Sequence, residues 1–134
     1  YKNMNAYKLF VLDVGLLGAM SELPAESILE GNDIFVEFKG ALTEQYVLQQ
    51  LISDTPYTPY YYGNEKATFE QDFLIQKAKS IVPIEVKAEQ NIRSHSLKTY
   101  CEKFQPEEAV RFSTLKYKEQ EWMVNIPLYA VCNL

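Results

Sequence analysis

A chain of 134 residues, 47% hydrophobic and 23% charged, has the size and composition of one globular domain. Its net charge of −5 argues against a general nucleic-acid binder, and no apolar run approaches the roughly 20 residues that span a bilayer. Nothing at the start resembles a signal peptide, and Cys101 and Cys132 make neither a disulfide framework nor a zinc site, so two buried thiols in a reducing cytoplasm are expected.

The stretch from Tyr7 to Leu17 reads as a short strand or buried turn leading into a helix with Asp13 as its N-cap. Pro24 marks the start of a second short helix, ended by Gly31-Asn32-Asp33. A longer helix is predicted over 38–52, with Ala41, Leu48, Leu51 and Ile52 as its apolar stripe. Glu44 falls on that stripe. A carboxylate there must be paired, liganded or protonated, because an isolated buried charge is very costly.

Three extended segments follow. Residues 57–62 are aromatic and β-prone, and the turn-like Gly63-Asn64-Glu65-Lys66 sends the chain back as a hairpin. In 69–75, alternation puts Phe69, Phe73 and Ile75 on one face and Glu70 and Asp72 on the other. In 81–87, Val82, Ile84 and Val86 oppose Pro83, Glu85 and Lys87, and Pro83 predicts a bulge or an unpaired position. Residues 94–104 form an amphipathic helix through Leu97, Tyr100, Cys101 and Phe104, with Ser94 or Ser96 as its cap. Strands at 109–113 and 122–126 and an apolar tail from Pro127 complete a sheet covered by helices.

Charge is spread unevenly. Residues 77–103 carry Lys77, Lys79, Lys87, Arg93, Lys98 and Lys103 against three acids, which could form a basic face but which a solvated helix surface explains more cheaply. The strongest chemical signal is Ile84-Glu85-Val86-Lys87. Residues two apart in a strand share a face, so Glu85 and Lys87 can enter one site. A short hairpin would set Asp72 about 5 Å away on the neighbouring strand. Two carboxylates at that spacing suit one hard cation such as Mg²⁺, with Lys87 orienting an attacking water. Glu-x-Lys on a strand is, however, usually a solvent-facing ion pair. Arg93 could contact a phosphate or form a surface ion pair. His95, the lone histidine, reads as an exposed helix-start residue, and Glu70 as an outer ligand or a partner of Lys87. The tyrosines at 57–62 could stack bases, although packing in the sheet accounts for them more simply.

A helix bearing Glu44, a strand bearing Asp72, a strand bearing Glu85-x-Lys87, and then a helix and a strand resemble the PD-(D/E)XK nuclease core over residues 38–113. The family's motif proline is replaced by Gln71. A narrower resemblance links Tyr7–Leu17, Gly40-Ala-Leu-Thr-Glu, Glu70-Gln-Asp-Phe-Leu-Ile, Pro83-Ile-Glu-Val-Lys, Arg93-Ser-His-Ser-Leu and Ile126-Pro-Leu-Tyr-Ala to a C-terminal domain of unknown function in prokaryotic AAA-type ATPases. These resemblances imply an α/β fold with a restriction endonuclease-like core, a central mixed sheet flanked by helices and extra N-terminal helices.

They also imply a single nuclease-like domain over 1–134, the C-terminal portion of a longer ATPase. Residues 1–37 would form a helical extension, 38–113 the core and 114–134 a strand and apolar tail. Asp72, Glu85 and Glu44 would hold Mg²⁺ or Mn²⁺, and Lys87, Glu85 and Asp72 would be catalytic. The chain has no GxxxxGK[ST] stretch, so ATP would bind only an N-terminal domain outside it. DNA or RNA and that ATPase domain are the expected partners, with self-association left open, in the cytoplasm and without a membrane. Two readings stand: a metal-dependent nuclease, or a non-catalytic module that regulates or docks the ATPase.

Overall fold

Alternation between Phe73 and Val86 builds the centre of the molecule. Phe73, Ile75, Val82, Ile84 and Val86 all lie in the core. The computed structural model describes residues 7–24, 26, 33–63, 69–88 and 94–134, with backbone alone over 33–37.

Six strands form one mixed sheet in the order β1-β2-β3-β4-β6-β5. They are β1 (Tyr60–Tyr62), β2 (Gln71–Lys77), β3 (Ser80–Lys87), β4 (Val110–Ser113), β5 (Lys118–Glu119) and β6 (Val124–Pro127). The first three pair antiparallel, with a tight turn between Lys77 and Ser80 joining β2 to β3. β3, β4 and β6 run parallel, and β5 closes the edge antiparallel to β6. A parallel step from β3 to β4 needs a crossover, which the helix α3 (His95–Phe104) supplies.

The helices cover both faces. α2 (Asp33–Asp54) buries Val47 and Leu51 against Phe73, Ile84, Val86, Val110 and Phe112. Val131, in a 3₁₀ segment at Leu128–Asn133, extends the same cluster. On the opposite face Leu97 of α3 packs with Ala109 and Met123. Ahead of α2, residues 7–13 lie as a strap leading into α1 (Val14–Met20), where the Asp13 carboxylate accepts the Leu16 N–H at 2.8 Å as an N-cap. The molecule is thus an α/β fold, a mixed sheet flanked by helices, compatible with a restriction endonuclease-like core. The helix expected after Pro24 falls largely on residues 27–32, outside the described ones. No helix of the described residues is long and apolar enough to cross a membrane.

Four local expectations need correction. On α2, Leu51 and Leu48 pack on the core as expected, but Ala41 and Ile52 are exposed and Val47 takes their place on the buried line. Pro83 does not disturb the ladder: it pairs in register with Leu74. The Val86 amide points toward β2, so by alternation the missing Pro83 donor would face β4, whose pairing begins only at Ile84 and Val110. Cys132 is exposed, since the apolar tail lies on the surface of the core as a 3₁₀ turn, and Cys101, on α3, is half-buried. Phe69 packs on Tyr62 and Tyr100, whereas Phe73 meets Phe10, so the two do not share a face. The cause is an extra residue in β2.

Candidate functional site

Tyr60 pairs with Leu74 and Tyr62 with Gln71, so β2 spends one residue more than β1 between those pairs. An unpaired residue of this kind bends a strand and re-aims its side chains. It falls at Asp72 and Phe73. β2 and β3 remain in register from Lys77 and Ser80 to Phe73 and Ile84. Beyond that point, the Asp72 Oδ2 accepts the Val86 N–H at 2.8 Å, in place of a backbone carbonyl. The strands part there, and the carboxylate stands in the fork.

The other Asp72 oxygen faces the strap. Lys8 Nζ donates to Asp72 Oδ1 at 3.2 Å and to Glu44 Oε2 at 2.9 Å, so one ammonium bridges a carboxylate of β2 and one of α2. It also lies 5.5 Å from the centre of the Tyr61 ring. Burial works against the Lys8 ammonium. Its hydrogen bond to Glu44 and the charge of Asp72 prevail, and its pKa lies above the ordinary lysine value. Glu44 is raised above the ordinary carboxylate value, first by burial and then by Asp72, with Lys8 and Lys87 pulling the other way. The strap holds Lys8 in place through Gln45, which is buried. The Gln45 Oε1 accepts the Val11 N–H at 3.0 Å and its Nε2 donates to the Val11 carbonyl at 2.9 Å. Gln49 accepts the Val14 N–H in the same way.

Glu85 follows ordinary strand alternation and shares a face with its register partner Arg111 on β4. It is almost wholly buried, and Lys87 Nζ pairs with its Oε1 at 3.0 Å. Its Oε2 is buried with no hydrogen-bond partner among the described residues. Arg111 Nε donates to Asn125 Oδ1 at 2.8 Å and Nη1 to Ser94 Oγ at 3.1 Å, while Ser113 Oγ donates to Asn125 Oδ1 at 2.7 Å. Burial pulls the Arg111 guanidinium below its usual range, and Glu85 opposes that shift. This polar network ties β4, β6 and the start of α3 together. Ser94 therefore stands at the N-cap of α3 without giving its side chain to the helix.

The structure thus brings Glu44 and Asp72 together on Lys8, and Glu85 and Lys87 together on each other. Lys87 acts electrostatically on Glu44, which joins the two groups into one neighbourhood. Among the described residues, no three of the types His, Cys, Asp and Glu are grouped to hold a metal ion. A hard cation needs only one or two carboxylates when water and substrate complete its shell. Glu44 and Asp72 meet that need and already face a cation, the Lys8 ammonium. The residues therefore fit a divalent ion wherever Lys8 gives way.

Arg93 lies outside the described residues. His95 is exposed at the start of α3. Glu70 is exposed; after burial it is the main influence raising the Tyr61 pKa, and Lys87 pairs with Glu85. Tyr62 is taken up in an aromatic cluster with Phe69, Tyr100 and Phe104, at ring-centre distances of 5.6–6.1 Å, which accounts for it by packing. Sequence reasoning passed over Lys8, Arg111, Ser113 and Asn125. Lys8 is a lone charge within an apolar block, and the other three are polar residues alternating with buried ones in Val110-Arg-Phe-Ser and Val124-Asn-Ile-Pro.

No curated protein and no solved structure matches the chain significantly. A family described as a domain of unknown function, DUF4143, matches residues 39–130, from α2 through the start of the 3₁₀ segment. That span takes in Glu44, Asp72, Glu85 and Lys87 together with all six strands, and the chain belongs to this family.

Proposed function

We propose that this chain is the nuclease-like domain of an AAA-type ATPase, hydrolysing phosphodiester bonds of nucleic acid with a divalent cation. The observation that carries this reading is the forked end of β2 and β3. There Asp72 is aimed by Val86, Glu44 reaches in from α2, and Glu85 sits beside Lys87. Glu44 and Asp72 would hold Mg²⁺ or Mn²⁺, with Glu85 offering its partnerless oxygen. When bound, the ion would supply an activated water and charge stabilisation at the phosphorus. Lys87 would orient that water or neutralise charge on the phosphate. Likeness of element order to PD-(D/E)XK nucleases supports the reading, and so does the association of the family with AAA-type ATPases.

The test is cleavage of single-stranded, duplex and branched DNA and of RNA by the full-length protein with Mg²⁺ or Mn²⁺, with and without ATP. Lys87→Ala is expected to lower the rate about 100-fold or more, and Glu85→Ala to lower it as well. Cleavage unchanged by Glu85→Ala would sink the assignment.

A second reading, a non-catalytic module that regulates or docks the ATPase, is favoured by one observation. Lys8 pairs with both Glu44 and Asp72 from within the chain, so each carboxylate already has a cationic partner.

A further inference from the structure

Lys8 is held where a metal would sit. Its ammonium takes the Glu44 oxygen Oε2 at 2.9 Å and the Asp72 oxygen Oδ1 at 3.2 Å, the two atoms that face each other across the fork. The other Asp72 oxygen is already engaged by the Val86 N–H, so the oxygen turned to the fork is the one that Lys8 occupies. A tethered ammonium and a divalent ion therefore compete for the same pair. We propose that Lys8 is a built-in counter-ion that keeps divalent cations out of the Glu44–Asp72 position, so that metal loading requires Lys8 to withdraw. This rests on the metal-dependent reading above.

Three further features agree. Three cationic groups, Lys8, Lys87 and Arg111, face three carboxylates, Glu44, Asp72 and Glu85, so the cluster is balanced with Lys8 in place. A divalent ion in place of the Lys8 ammonium would add one positive charge to the cluster, whereas one beside it would add two. The Lys8 side chain is a quarter exposed, so it reaches water without unfolding anything. Beside it opens a cavity of about 410 Å³ lined in part by Phe10, Glu44 and Gln45, into which the lysine stem can swing. The strap's anchor points, Phe10 against Phe73 and Val11 on Gln45, lie further along the chain and need not move.

The experiment is titration of the full-length protein with Mn²⁺, free ion being read by electron paramagnetic resonance. Lys8→Met keeps the stem and removes the charge, and it is expected to bind Mn²⁺ about tenfold tighter than the unaltered protein, equivalent to about 1.4 kcal/mol. Lys8→Arg should retain the unaltered affinity, and adding Glu44→Gln to Lys8→Met should abolish the gain. Lys8→Gln, which drops the charge but keeps a donor, provides the same reading should Lys8→Met fail to fold by circular dichroism. Equal affinity with and without the Lys8 charge would overturn the proposal, and so would a gain that survives Glu44→Gln. A gain without cleavage in any variant would sink the nuclease reading alone. Cleavage with unchanged affinity would sink the role given to Lys8 alone.

Discussion

Lys8 and Glu44 respond to pH in opposite senses. The folded Lys8 pKa is raised above the ordinary 10.5, so the ion pair's contribution is fully present below that value and is lost as pH climbs through the folded pKa. Glu44 is raised above 4.5, so its own advantage is complete only below 4.5 and disappears once pH passes its folded pKa. Between those limits the ammonium is what makes two neighbouring carboxylates tolerable. The Lys8 side chain is only 25% exposed, so screening is partial and the pair is worth about 1 kcal/mol. Urea unfolding is expected to show Lys8→Met less stable by about that amount at pH 8, with the gap closing above pH 10.5. A gap that stays constant through that range would mean the loss comes from packing of the stem, not from its charge.

At the scale of elements, the strap and the bulge decide what the site is. A single residue, Gln45, satisfies both backbone groups of Val11 from the buried side of α2. Gln45→Ala removes both partners, and a cost of about 1–3 kcal/mol is expected from denaturant unfolding. Amide exchange at Val11 should accelerate as well. Unchanged exchange there would show that Phe10 on Phe73 suffices to hold the strap. Much of this level was legible in the sequence. Alternation in 81–87 located β3, the i, i+3, i+4, i+7 spacing located α3, and Asp13 announced the start of α1. The bulge was not legible, because Gln71-Asp72-Phe73-Leu74 contains no glycine or proline to announce it. One uncounted residue was enough to turn Asp72 toward Lys8 and to separate Phe69 from Phe73. β5 also escaped notice, since Lys118 and Glu119 are two exposed charged residues with no apolar pattern to read.

For the molecule as a whole, stability rests on the face covered by α2. Phe112 is completely buried between that helix and the parallel strands. Phe112→Ala should therefore cost about 3–5 kcal/mol in thermal or denaturant unfolding. Tyr129→Ala, at a residue 82% exposed, should change stability by no more than about 0.5 kcal/mol. Similar losses at the two positions would mean that the core is not where the sheet and α2 place it. Among the candidate residues, Glu85 and Lys87 could be paired from the sequence because two-residue spacing is local. Lys8 could not be joined to Asp72, since 64 residues separate them and no periodicity spans that distance.

That separation also sets an order in time. During synthesis Lys8 emerges first, Glu44 follows 36 residues later and Asp72 64 residues later. At about 5–20 residues per second, several seconds pass between the first and the last. The Asp72 carboxylate is then aimed only once Val86, a further 14 residues along, has been added. Until that moment the nascent strap has a single carboxylate to hold it, and a cation arriving from solution meets one ion pair instead of two. The contest for this position is thus most open on the ribosome and narrows as the β2–β3 hairpin closes.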